Sequence, residues 1–147
     1  MRWAMKNDSN LFFTCSLIEF IGRRQKLRRS EVVAGIGEKN LRRIYEYADV
    51  FHCEPIEKTA DEFVIRCKLP CGDFDNEKAC KYLVPDYWTV GEVYERLIED
   101  VCGGDVIGTL LEVYSSWIDR SISNYNSDFY YQPRDYIREC YREGKIL

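Results

Sequence analysis

The sequence predicts a mainly α protein, a single-domain irregular bundle of about six or seven helices with at most a minor strand pair. Three observations carry that reading. Apolar residues recur at i, i+3, i+4 and i+7 over most of the chain, the period of a helix with one buried face. Capping residues and Gly or Pro stops punctuate these runs at helical lengths. The 147 residues, 46% apolar and 31% charged, suffice for one globular core and do not resemble a disordered chain.

Each element follows from local signals. Ser9 is placed to cap a first helix running to about Gly22, with Phe13, Leu17, Phe20 and Ile21 on one face. The basic run 23–29 then forms a helix end or a loop, where cations complement the helix dipole. Ser30 is the next expected cap, opening a short helix over 30–36 that Gly37 stops. A helix from about Glu38 to His52 carries Leu41, Ile44, Tyr45, Ala48 and Phe51 as its stripe. Pro55 suits the first turn of a helix over 55–66, although 63–67 also reads as a short strand. Residues 67–88, broken by Pro70, Gly72 and Pro85, are the least regular, with a helical turn at about 75–82.

Thr89 followed by Glu92 is a capping-box pattern ahead of Val90, Val93, Tyr94, Leu97, Ile98 and Val101. Gly103 and Gly104 end that helix. Asp105 caps the next, which runs to about Asn124 on Ile107, Leu110, Leu111, Tyr114, Trp117, Ile118 and Ile122. A last helix spans Arg134 to about Arg142, with Gly144 as its stop. Residues 1–147 are read as one helical domain, and a sub-division into 1–66 and 89–147 around the irregular 67–88 stays open.

Charge is distributed unevenly. Residues 1–43 hold ten Lys and Arg against four Asp and Glu, whereas 44–147 hold eleven against twenty-one. Arg23, Arg24, Lys26, Arg28 and Arg29 lie within seven residues, with Arg42 and Arg43 farther on. Cations held so densely repel one another, so a structure or a partner is expected to use them. The expectation is an outward-facing arm that pairs with carboxylates or phosphates, Arg being suited to two-pronged contacts. Its removal should then leave stability nearly unchanged.

No run approaches the about twenty apolar residues of a membrane span, and the start lacks the apolar run of a secretion signal. Seven cysteines, an odd number, cannot all pair within one chain. Both points read as a cytoplasmic protein without membrane association.

Four chemistries are open to these residues. The helices expected at 30–36 and 38–52 have helix-turn-helix spacing, and the nearby cations suit phosphate, so nucleic acid is one partner class; the acidic net charge of −4 argues against it. Cys67, Cys71, Cys80 and His52 form the weak alternative of a zinc set, since zinc wants four N or S ligands and Cys80 lacks a near neighbour; the reading is no metal and no cofactor. No catalytic motif is present, so an enzyme would need a carboxylate site assembled from distant residues. Tyr125, Phe129, Tyr130 and Tyr131 crowd the C-terminal quarter, and such clusters make interface cores or pack a last helix. Opposite charges on the two parts of the chain also suit a protein partner or a second copy, giving a homo-oligomer.

Two stretches, residues 44–52 (IYEYADVFH) and 84–94 (VPDYWTVGEVY), resemble small helical proteins of unknown function in bacterial genomes and mobile elements. The pattern from Cys15 to His52 resembles short helical partners encoded beside toxins. The resemblance implies an accessory, inhibitor-like or antitoxin-like binder and no catalytic residue. The functional expectation is therefore a non-enzymatic protein-binding module with a basic arm and an aromatic C-terminal face; the alternatives are a nucleic-acid-binding helix-turn-helix protein and an enzyme.

Overall fold

In a computed structural model, which describes residues 8–147, the chain forms nine α-helices and one 3-10 turn, with no strand among the described residues. The helices are α1 (Ser9–Gln25), α2 (Arg29–Glu46), α3 (Ala48–Phe51), α4 (Ile56–Arg66), α5 (Asn76–Ala79), α6 (Tyr87–Val101), α7 (Val106–Ser115), α8 (Ile118–Ile122) and α9 (Arg134–Glu143). The 3-10 turn is Phe129–Tyr131. The mainly α bundle is as expected, with slightly more helices. The count rises because Tyr47 separates α3 from α2 and Ser116 and Trp117 separate α8 from α7.

Several boundaries move. Asp8, not Ser9, caps α1, its carboxylate accepting from Leu11 N at 3.0 Å. Three residues of the basic run, Arg23, Arg24 and Gln25, are the last of that helix, and Lys26 ends it in the left-handed region (φ 57°). Arg28 rather than Ser30 is the N-cap of α2, its backbone N–H donating to Glu31 Oε1 (2.9 Å). Gly37 (φ 82°, ψ 160°) interrupts α2 where a stop was expected, as a one-residue kink rather than a turn. Asp86, not Thr89, caps α6, accepting from Trp88 N at 2.6 Å. Residues 63–65 are helical, so the strand reading of 63–67 fails.

α1 is the spine of the bundle. Leu11, Phe13, Cys15, Leu17, Ile18 and Ile21 are buried around it, and it packs chiefly on α6, with α2, α3 and α4 on its other sides. α6 in turn carries α7 and α9. One continuous core therefore joins residues on both sides of the 67–88 segment, from Leu11 to Cys140. That segment is tied to the end of α1: Gly72 N donates to Gln25 O (2.8 Å), Phe74 N to Lys26 O (2.9 Å), and Gln25 Nε2 to Pro70 O (3.1 Å).

Gly91 sits at the α1–α6 crossing, where the backbone of Ser16 leaves no room for a side chain. Gly144 ends α9 in the left-handed region (φ 76°, ψ 18°) with open space around its Cα. Gly144→Ala should cost about 1 kcal/mol, the backbone penalty alone, read as a lower urea midpoint with an unchanged m-value.

Candidate functional site

The basic run does not form a uniform surface. Arg29, at the start of α2, is 0% exposed, and Glu19 of α1 is buried against it. Arg29 Nε and Nη2 donate to Glu19 Oε1 and Oε2 at 3.0 and 2.9 Å, a two-pronged pair. Arg29 Nη1 donates to Leu27 O (2.8 Å) and Nη2 to Asn76 Oδ1 (3.1 Å), so α5 closes over the guanidinium. Arg23 donates from Nε to Glu19 Oε2 (3.0 Å) and from Nη2 to Pro85 O (2.6 Å) and Tyr125 OH (3.1 Å). The Tyr125 hydroxyl donates to Glu19.

A buried carboxylate flanked by two guanidiniums is thus the polar centre of the fold. Burial pushes the Glu19 carboxyl up, but Arg29, with Arg23 and Tyr125, holds it below the usual carboxylate value. The same pairing raises Arg29 against the lowering effect of burial. Beside this centre, Asp119 accepts from Tyr94 OH (2.6 Å) and Ser30 N (3.3 Å), and Tyr94 stacks on Tyr114 with centroids 4.1 Å apart.

The expected outward-facing arm is therefore corrected at two members. Arg23 and Arg29 hold the interior together, and removing them cannot leave stability unchanged. Others meet carboxylates of the same chain: Arg24 pairs with Asp61, Lys26 with Asp75 (3.7 Å), and Arg42 with Asp105 and Glu38 (2.8 Å each). Arg28 lies over the Phe74 ring (4.4 Å) and Arg43 over Tyr47 (5.7 Å), neither in an ion pair among the described residues. The acidic second part of the chain supplies most of these counter-charges, which is why the cations could cluster in sequence.

The aromatic set also divides. Tyr125 and Phe129 are core residues, Tyr130 is half-buried, and only Tyr131 is largely exposed, at 66%. Tyr125 and Phe129 are thus corrected from interface to interior: the Tyr125 hydroxyl serves Glu19, and the Phe129 ring packs near Trp117 (6.4 Å) and Tyr136 (6.3 Å). The structure brings two further apolar residues to this edge. Tyr82 and Leu83 are 71% and 92% exposed and, with Tyr125, Asp128, Tyr130 and Tyr131, line a hollow of about 580 Å³. Their loop is pinned on both sides: Lys81 N donates to Asn126 Oδ1 (2.7 Å), Asn126 Nδ2 to Ala79 O (3.0 Å), and Pro85 O accepts from Arg23. Tyr82 and Leu83 fall on no periodic face, which was the one available signal for them.

Cys67, Cys71, Cys80 and His52 are not brought together. Among the described residues no three His, Cys, Asp or Glu are placed to share a metal ion. Cys67 lies by Asn40 Nδ2 (3.6 Å), Cys80 by Tyr82 O (3.4 Å), and His52 is edge-on to Phe13 (6.0 Å). A carboxyl pair that the sequence reading passed over lies on α6: Glu95 is 5% exposed, and burial together with Glu99 and Glu92 pushes it up to about 9, against the lowering effect of Arg134. No described helix is long and apolar enough to cross a membrane. Comparison with known protein families, curated proteins and solved structures finds no match to this chain.

Proposed function

We propose that this chain is a non-enzymatic protein-binding module, an accessory or inhibitor-like partner, that engages a protein segment through the hollow between Tyr82–Leu83 and Tyr130–Tyr131. The observation that carries this reading is Leu83, almost wholly exposed on a loop whose two ends are fixed by hydrogen bonds. An apolar side chain held out on a rigid loop gains burial on association and loses little conformational entropy, which favours a contact anchor. Tyr82 and Tyr131 add large, two-torsion aromatic surface beside it. A partner segment that inserts an apolar side chain into the hollow satisfies this arrangement, and Arg28 and Arg43, which make no ion pair among the described residues, supply positive charge for acidic groups of the partner. A nucleic-acid reading has less support, because Arg23 and Arg29 are engaged inside and Arg24, Lys26 and Arg42 meet carboxylates of this chain.

The test compares affinity capture from the native host by the wild-type chain, Leu83→Asp, and Arg28→Ala with Arg43→Ala. Specific partners retained by wild type should be lost with Leu83→Asp at unchanged melting temperature, and only weakened by the Arg changes. Retention of the same partners by Leu83→Asp overturns the reading.

A further inference from the structure

A second hollow, of about 230 Å³, lies at the start of α1 against α6, away from the aromatic edge, and is lined by Asp8, Ser9, Phe12, Glu92 and Glu95. Its carboxyls are not equivalent. Glu92 pairs with Arg96 (3.3 Å). Asp8 caps α1 and accepts from Tyr45 OH. Glu99, behind them, accepts from Asp8 N (2.8 Å) and meets Arg134 (3.4 Å). Glu95 makes no ion pair among the described residues, Arg134 acting on it only from a distance, and its buried Oε2 has no donor among them.

A buried carboxyl oxygen without a donor is costly, and the side chain that hydrogen-bonds Glu95 is itself a carboxyl, Glu99. A bond between the two requires that one of them hold a proton. The Phe12 ring lines the same hollow and is backed by Trp88 at 5.4 Å. A carboxyl lacking a cation beside an aromatic face is the chemistry that recognises an organic cation, by a charge-assisted hydrogen bond at one end and ring contact at the other. A metal ion is a poor fit, because the acidic groups do not converge as three ligands.

We infer that this hollow binds an alkylammonium or alkylguanidinium group, with Glu95 as its carboxylate and Phe12 as its aromatic wall. The cation takes the place of the proton that the Glu95–Glu99 pair shares. The N–H of the ligand donates to the Glu95 carboxylate, and the displaced proton leaves to solvent, so one proton is released for each cation bound. Other groups around Glu95 set the background: Glu92 and Glu99 on its own helix, Asp8 and Cys15 from α1, Tyr114 from α7 and Arg134 from α9. Burial holds the Cys15 and Tyr114 protons on well above neutral pH, so neither competes in the titration.

The experiment is calorimetric titration of the full chain with n-butylguanidinium chloride, whose charge is constant across the range, in buffers of differing ionisation enthalpy. Binding should release close to one proton at pH 7, and affinity should rise about tenfold from pH 7 to pH 8. Glu95→Gln, an isostere of the protonated group, should keep the fold, weaken binding at least about tenfold and abolish proton release. Phe12→Leu should weaken binding about two- to five-fold and leave proton release intact. Nα-acetylarginine methylamide identifies the source of the cation. Equal or tighter binding than butylguanidinium points to an Arg side chain of a partner, and exclusion points to a free small cation. The inference is overturned if butylguanidinium fails to bind at about 50 mM, if it binds Glu95→Gln as it binds wild type, or if its affinity does not change with pH. Leu83→Asp should bind the probe normally, so this result stands apart from that of the aromatic edge.

Discussion

Glu19→Gln should cost about 3–5 kcal/mol, a large share of the stability of a domain this size. The change keeps the side-chain shape and removes one charge. Two guanidiniums, Arg29 fully buried and Arg23 largely so, then face an amide that offers N–H groups where they need an acceptor. The loss comes from stranding those charges, so the double variant Glu19→Gln with Arg29→Gln should cost less than the sum of the single changes. Urea unfolding with a four-member cycle gives both numbers. A Glu19→Gln chain with a wild-type midpoint at pH 7 would show that the pair is not what holds α1, α2 and α5 together.

The same residue sets the acid limb of stability. Arg29 and its neighbours hold Glu19 below its usual value of 4.5 in the folded chain. In that range the unfolded chain binds more protons than the folded one, so stability rises with pH. The contribution is present above about pH 4.5 and is lost as pH falls through the folded value. A series of urea midpoints from about pH 6 down to pH 2 should show this slope in wild type and a shallower one in Glu19→Gln.

The second large effect is expected at Gly91, for a steric reason. A Cβ built there falls 2.8 Å from both Ser16 N and Ser16 Cα. These are backbone atoms of the most buried helix, so relief requires α1 to move off α6, and the packing of Leu11, Leu17, Ile18, Leu97 and Ile98 moves with it. Gly91→Ala should therefore cost about 3 kcal/mol, at the upper end for an added methylene in a packed core. Ser16→Ala should not rescue it, since the clash is with main chain. Gly103→Ala, where an added Cβ meets nothing, is the matched control and should change the midpoint little. An unaltered Gly91→Ala chain would mean that the α1–α6 crossing is wider than described.

Periodicity and punctuation were enough for the helical class, because each helix buries one face and its apolar spacing records which. The break at Gly37, the stop at Gly144 and the cap position of Asp105 were legible for the same local reason. Asp86 was missed as a cap because Thr89 and Glu92 mimic a capping box one turn later, and a local signal cannot rank two adjacent candidates.

The fate of the charges was a different kind of question. Whether Arg29 faces water or Glu19 depends on how α1, α2 and α5 come together, and the two residues stand ten positions apart on different helices. The same holds for Tyr125, whose hydroxyl reaches Glu19 across more than a hundred residues, and for Glu95, which shares its hollow with Phe12 only when α6 lies on α1. Composition and spacing thus determined that this chain is a helical bundle and roughly where its main helices lie, since those depend on neighbours within a few residues, while the caps at Asp8, Arg28 and Asp86 and the breaks at Tyr47 and Ser116 fell elsewhere than the local signals placed them. Tertiary structure alone decided which cations are interior, which aromatics are surface and which buried carboxyl oxygen lacks a donor, because burial and pairing belong to groups brought together from distant parts of the chain.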